Sequence, residues 1–382
     1  MSGENPCKAL SIEQIILRST RSGDIEEFGA CLNKSRVEIL NWRHSRSGES
    51  CLLLCARYGQ VDMLRCLVED CGESLEQWNS DGKRALHEAA LGGHLECVRY
   101  LINKDVEIDC LKRADWTPLM LACTKDNMDI ISELIEAGAN PKLSNKDGWT
   151  AFHIATREGH LGIVQYFLDM FPTIWDTVSN NGRTPLHTAA LHGHLETVEL
   201  LLKCGHYKPD CMDSCGTTPL MDSIRGNFVD VADLLITKHH ARSEARDKLG
   251  RQCIHIAAQS GSLSSLKFLV DTEKVDVQNG TDFSGMTALH VAAKEGHDNV
   301  VSFLLENGSR INSKDKNGRT ALHLASAAGQ TCTVYRLVNH SACDVTTRDN
   351  KELVAADYAL KTDVIQIFTR STRAKVEAAQ TT

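Results

Sequence analysis

The sequence predicts an all-α solenoid of helix-turn-helix units with β-hairpin-like turns, and three observations predict it. The first is periodicity. A T-P-L-H-like motif returns with its apolar residue at Leu52, Leu86, Leu119, Phe152, Leu186, Leu220, Ile254, Leu289 and Leu322, in steps of 34, 33, 33, 34, 34, 34, 35 and 33 residues. The second is the content of each period, as in RTPLHTAALHGHLETVELLL: a Gly-containing turn, a short Ala-rich segment, a Gly-His pair and a segment with an apolar stripe. The third is composition. With 42% hydrophobic and 24% charged residues in 382, the chain has the make-up of a folded globular protein.

Each element follows in order. Residues 1–47 read as an N-terminal capping partial repeat, because IEQIILRSTRSGDIEEFGACL has the helix-loop-helix pattern, with Gly23, but lacks the motif. Residues 48–350 hold nine full repeats. Their turns (KDGWT, NNGRT, KNGRT) use Gly for the positive φ of a tight turn. Thr then caps the first helix, and Pro, where present, takes the first helical position, where its missing N–H is not needed. Small side chains in that helix let neighbouring units approach. The second helix carries a stripe that no unit buries alone, so stacking builds one continuous core. Residues 351–370 read as a C-terminal capping partial repeat, with Ala356 in the Leu column, and residues 371–382 as a frayed tail. The 7 prolines leave no Pro-rich linker, so a length that alone suggests several domains belongs to one. A ninefold return of this motif at about 33 residues is the ankyrin repeat signature.

Several function classes are excluded. The net charge of −8 argues against direct nucleic-acid binding and against an anionic membrane surface. No apolar run is long enough to span a bilayer, and MSGENPCKALSIEQ lacks the layout of a secretory signal. Fifteen cysteines scattered through apolar stretches read as reduced, buried thiols, which places the chain in cytoplasm and nucleus. There is no P-loop, G-x-S-x-G or G-x-G-x-x-G, so the chain is expected not to be an enzyme and to need no cofactor. Cys97, Cys123 and Cys332 are expected where helices pack, as inert thiols. His87, His153, His187, His255, His290 and His323 fill one motif column, where the imidazole ties adjacent turns through backbone. His94, His160, His194 and His297 fill a second column with a similar role. Neither column clusters as a metal site, and Cys211 with Cys215 is an isolated C-x3-C, so no metal is expected.

Exposed, variable columns carry recognition in a repeat array. The residue before the capping Thr runs Glu49, Lys83, Trp116, Trp149, Arg183, Thr217, Arg251, Met286, Arg319. The two adjacent tryptophans either lie flat over their own turns or form an aromatic pair on the concave face. Trp and Arg are frequent interface anchors, which favours the second reading. Basic residues surround them: Lys112 and Arg113 before Trp116, where Asp115 replaces the turn Gly, Lys142 and Lys146 before Trp149, and Lys125 and Arg157 at the first-helix ends. Repeats three and six also break the motif, with Met120 and Asp126 in one and Met221 and Asn227 in the other. The expected surface fits a protein partner, with Trp116, Trp149, Arg113, Lys125 and Arg157 as binding residues, on a monomer.

The stretches DCLKRADWTPLMLACTKDN and LIEAGANPKLSNKDGWTAFHIATREG resemble the ankyrin-repeat co-regulators of alanyl-tRNA synthetase. The resemblance implies binding to the catalytic domain of that synthetase. It also implies that lysines accept misactivated serine from the seryl-adenylate, which prevents Ser-for-Ala mistranslation. Carried over by position, one acceptor matches Lys146 in NKDGW. A second falls on Arg113, which cannot act as an amine nucleophile, with Lys112 beside it as substitute. A third falls on Asp176, which cannot accept an acyl group as lysine does. A cationic neighbour raises the neutral fraction of an amine, and Arg113 adjoins Lys112. The alternative is a non-covalent scaffold for an unrelated partner. Asn140 and Asn312 also resemble sites that ankyrin proteins offer to an asparaginyl hydroxylase, which is compatible with either.

Overall fold

A computed structural model describes residues 11–278 and 280–370, so the expected tail at 371–382 lies outside the described residues. The chain forms two compact units, one ending at Asn180 and one beginning at Asn181. The first unit opens with the helices Ile12–Ser22 and Ile25–Asn41, joined through Gly23 at φ 75°. Four repeats follow, with first helices Cys51–Tyr58, Ala85–Gly92, Pro118–Ala122 and Ala151–Glu158 and second helices Val61–Glu69, Leu95–Ile102, Met128–Glu136 and Leu161–Met170.

The second unit holds the first helices Pro185–His192, Pro219–Gly226, Cys253–Ser260, Ala288–Glu295 and Ala321–Ala328. It closes with a 3-10 turn at Ala355–Tyr358 and helical backbone over 362–370. In repeats six and seven the second helix begins as α and ends as a π turn, Leu234–Lys238 and Phe268–Thr272.

Two columns of side chains hold these units. All nine apolar motif residues are at most 2% exposed. The histidines that follow them are clasps. Nδ1 of His187 accepts the Thr184 N–H at 3.2 Å, and its Nε2 donates to the Thr217 carbonyl of the next repeat at 3.0 Å. His87, His255, His290 and His323 repeat the arrangement onto Trp116, Met286, Arg319 and Leu353. Accepting at Nδ1 and donating at Nε2 needs the neutral ring. Burial holds it so, lowering His87 and His187 from 6.5 to about 4.

The second histidine column is less uniform. His94 and His297 donate to the Arg57 and Gln259 carbonyls at 2.8 and 3.0 Å. The Nε2 of His160 is buried without a hydrogen-bond partner among the described residues. Its neighbour explains this: the first helix of repeat three stops at Ala122, and Asp126 does not adopt the left-handed cap that Gly supplies elsewhere. Asn227 in repeat six does adopt it, at φ 63°.

Cys97 and Cys123 are buried as expected, and burial pushes the Cys97 thiol up to about 12. Cys332 is not; it is exposed. It stands second in the helix Thr331–Val338, the position Glu96 holds in Leu95–Ile102, while Thr333 takes the buried place of Cys97. The thiol was therefore assigned one position out of register.

Candidate functional site

The candidate surface lies wholly in the first unit, on the turns of repeats two to four. Its scaffold is backbone. Within a turn, Lys112 and Asn145 N–H groups donate to the Trp116 and Trp149 carbonyls at 3.0 and 2.9 Å, the hairpin-like pairing foreseen from sequence. Between turns, Ser80 N–H donates to Ser47, Arg113 to Asp81, Lys146 to Ala114 and Asn180 to Asp147, all at 2.8–3.0 Å. Successive tips are thus tied together, whatever side chains they carry.

The turn of repeat four is held as a tight turn should be. Asn145 Oδ1 accepts from the N–H groups of Asp147 and Trp149 at 3.0 and 2.9 Å, and Gly148 takes φ 78°. In repeat three the first residue is Lys112, which cannot accept those bonds. Ala114 and Asp115 both adopt positive φ, 64° and 60°, where a side chain costs about 1 kcal/mol each.

Both indoles are half-buried, between the two readings the sequence left open. Each is covered by a cation of its own repeat. Lys112 Nζ sits 5.5 Å from the Trp116 ring centroid, and the Arg157 guanidinium carbon 5.8 Å from that of Trp149. These are cation–π contacts. The most open indole is Trp78, at 66% exposed, one position before the turn of repeat two. Leu111, 53% exposed, holds the equivalent position in repeat three. The column before the capping Thr is the less exposed one at these tips: its carbonyls close the turns, and that of Trp116 also receives the His87 clasp. The signal for Trp78 was available as a second tip column five residues earlier.

The basic residues separate by partner. Lys112 Nζ and Arg113 Nε both reach the Asp81 carboxylate, at 3.3 and 3.5 Å. Arg113 therefore does not act on Lys112 as an uncompensated cation, because one acid of the preceding turn stands against both. Lys112 is only 14% exposed at its side chain, and Arg113 is 74%. Lys142 Nζ donates to Thr173 Oγ1 at 2.7 Å. Arg157 lies 3.8 Å from Glu158. Lys125 is exposed on the turn after Pro118–Ala122, at the far end of the first helix from the tips. Lys146 is exposed, and its amine has no hydrogen-bond or ion-pair partner among the described residues. Its backbone is fixed on both sides, by Ala114 and by Asn180 Nδ2, which donates to its carbonyl at 2.7 Å. Asp176 is exposed, with its N–H on Thr173. Among the described residues no three His, Cys, Asp or Glu side chains converge as metal ligands, and no helix is long and apolar enough to cross a membrane.

Paired helices, hairpin-like turns and a histidine clasp repeated from unit to unit define a protein built of stacked repeats. The family model for ankyrin repeats matches residues 26–114, 105–175, 172–247, 204–279 and 254–349, and the chain belongs to the ankyrin repeat family. It is 37% identical over 92 residues to human "Protein phosphatase 1 regulatory subunit 27", covering 24% of this chain and 60% of that one. It is 31% identical over 140 residues to "Ankyrin repeat and KH domain-containing protein mask-1" of Caenorhabditis elegans, covering 35% of this chain and 5% of that one. To human "BCL-6 corepressor-like protein 1" it is 29% identical over 147 residues, covering 36% of this chain and 8% of that one. The chain thus spans under two thirds of the length of each of these relatives.

Proposed function

We propose that the chain is a non-catalytic protein-interaction module whose first unit docks a partner protein through the tips of repeats two to four. The partner is alanyl-tRNA synthetase, and Lys146 is the residue that accepts misactivated serine. The observation that carries this reading is the contrast at Lys146: a backbone pinned on two sides presents an exposed amine with no hydrogen-bond or ion-pair partner among the described residues. A nucleophile on a fixed base with a mobile tip can meet an acyl donor held on another protein. The resemblance of KRADWTPLM and NKDGW supports the choice of partner.

The chemistry is an acyl transfer. The neutral amine of Lys146 attacks the carbonyl of seryl-adenylate, a C–N bond forms, the C–O bond of the mixed anhydride breaks and AMP leaves. The proton lost from the attacking nitrogen goes to solvent. The product is an amide, so each acceptor is used once. Lys112 comes second, because its amine must first leave Asp81 and the Trp116 face. The setting would be the cytoplasm and nucleus, where the synthetase and reduced thiols are both found.

The test is incubation of the full chain with alanyl-tRNA synthetase, ATP and serine, followed by peptide mass spectrometry. A seryl adduct on Lys146 that disappears in Lys146→Arg is expected. Unmodified lysines with retained co-purification would leave the second reading, a purely non-covalent scaffold. The engagement of Lys112 by an acid and an indole favours that second reading for repeat three.

A further inference from the structure

We propose that the turn edge of the second unit is a docking strip for an acidic polypeptide segment that carries apolar side chains between its carboxylates. It lies outside the surface assigned above and does not rest on that assignment. The turns of repeats seven, eight and nine and of the C-terminal unit begin with Asp247, Asp282, Asp315 and Asp349, and all four are at most 6% exposed. Each Oδ1 accepts two backbone N–H groups of its own turn, at 2.8–3.0 Å. The acid of each turn is therefore consumed internally.

Outward positions of three of these four turns are cationic, and the turn of repeat eight presents Phe283 and Ser284 between them. Arg246, Lys248, Lys314, Lys316, Arg348 and Lys351 are exposed, and none forms an ion pair among the described residues. Arg246 donates to the Gly250 and Thr281 carbonyls at 2.7 and 2.6 Å, and Lys314 to the Arg348 carbonyl at 2.9 Å. Those bonds orient the side chains without engaging a carboxylate; Arg246 shares a recess with Glu244, Glu273 and Asp276, so the strip's excess of charge rests on the lysines and Arg348. This happens in a chain of net charge −8, so the local excess runs against the whole. Glu352 closes the strip, and its carbonyl receives Arg348.

Two apolar side chains sit among these cations. Leu249 and Phe283 are each 60% exposed. The Phe283 ring rests on Gly250, where an added Cβ would stand 2.5 Å from it, so one ring face is covered and the other is open. The spacing is fixed by backbone: Phe283 N–H donates to Leu249, Lys316 to Ser284 and Asn350 to Asn317, at 2.9–3.0 Å. The strip is preorganised, so little ordering of its backbone opposes binding.

The chemistry selects the ligand. Unbalanced cations at fixed spacing favour a run of carboxylates, and exposed Leu and Phe favour apolar side chains between them. A nucleic-acid strand would call for interleaved aromatic platforms, and the strip offers the single ring of Phe283 beside the aliphatic side chain of Leu249.

The experiment uses the full chain and a fluorescein-labelled peptide of repeating Glu-Glu-Leu, read by anisotropy. Binding that weakens with added salt is expected, with a Gln-Gln-Leu peptide failing to bind. Lys248→Glu with Lys316→Glu should weaken binding about tenfold or more, and Phe283→Ser about threefold. The milder Lys248→Gln with Lys316→Gln must move the same way, with circular dichroism confirming an unchanged melt. Trp149→Ala and Lys146→Ala in the first unit should leave this binding unchanged, which separates its outcome from that of the synthetase reading. Equal affinity of the charge-reversed variant, a first-unit variant that weakens binding as much, or displacement of the peptide by single-stranded RNA of equal charge would each overturn the proposal.

Discussion

The turns of repeats three and seven close with the same backbone pairing, Lys112 N–H to Trp116 and Asp247 N–H to Arg251, and are held by opposite means. In repeat seven, Asp247 accepts from Leu249 and Arg251 N–H groups and its second oxygen clamps the Arg251 side chain at 2.7 Å, while Gly250 supplies the positive φ. Every specialised position does structural duty. In repeat three, Lys112 replaces the acceptor, Ala114 and Asp115 take the left-handed region without glycine, and Trp116 stands where Arg251 is clamped. Support comes from Asp81 of the preceding turn and from the backbone ties. The lesson is that a repeat fold tolerates a poor turn when its neighbours are good ones. A turn released from self-support can place unusual side chains at its tip.

Acid is expected to have the largest effect, because it attacks the histidine clasps between repeats; His87 clasps the turn of repeat three, whereas Met221 stands where a clasp for the turn of repeat seven would be. His87 and His187 titrate at about 4 when folded, against 6.5 otherwise. A lowered folded value means that stability is complete above pH 6.5 and is lost as pH falls toward 4, by about 3 kcal/mol for each histidine. Asp222, pushed by burial up to about 6, runs the other way and offsets roughly one histidine in the second unit. Urea unfolding near neutrality and near pH 5 should show the loss, and matching midpoints would refute it.

Next in size is Asp247→Ala, which strands two N–H groups and the Arg251 side chain. It should lower unfolding stability by about 2–3 kcal/mol in denaturant titration. A change below about 0.5 kcal/mol would mean that the two turns are not held differently after all. Asp115→Gly tests the other side of the comparison. It should raise stability by about 1 kcal/mol, seen as a higher thermal midpoint, because it relieves a strained φ. The smallest effect is expected of Lys146→Ala, within about 0.5 kcal/mol in stability, since its amine contributes no internal contact. Loss of a seryl adduct with unchanged folding would mark that residue as functional.

Much of this was legible in the sequence. The Leu column is buried throughout, and most histidines of the motif clasp backbone, because those residues repeat with the period of the fold; repeats three and six carry Met in that place. Lys146 was also foreseeable as an exposed tip amine. Other features depend on pairings between repeats. Asp81 meets Lys112 and Arg113 across 31 and 32 residues, and no motif in either turn announces the triad. Trp78 was missed because one tip column was weighed and its neighbour was not. Cys332 was misplaced by a single position, which on a helix turns a side chain by about 100° and carries it from core to solvent. The cationic strip of the second unit was hidden by its own aspartates. In sequence they balance the lysines, and in the fold they turn inward.

The ladder of N–H to carbonyl bonds from tip to tip has an evolutionary corollary. Because main-chain atoms alone make each rung, almost any residue can occupy a tip without breaking it. Selection could therefore rewrite what the rim displays, one letter at a time, while the stack beneath stays intact. An insertion or deletion inside a tip has no such freedom. It would pull two rungs out of line at once, so length, far more than identity, is what this edge must preserve.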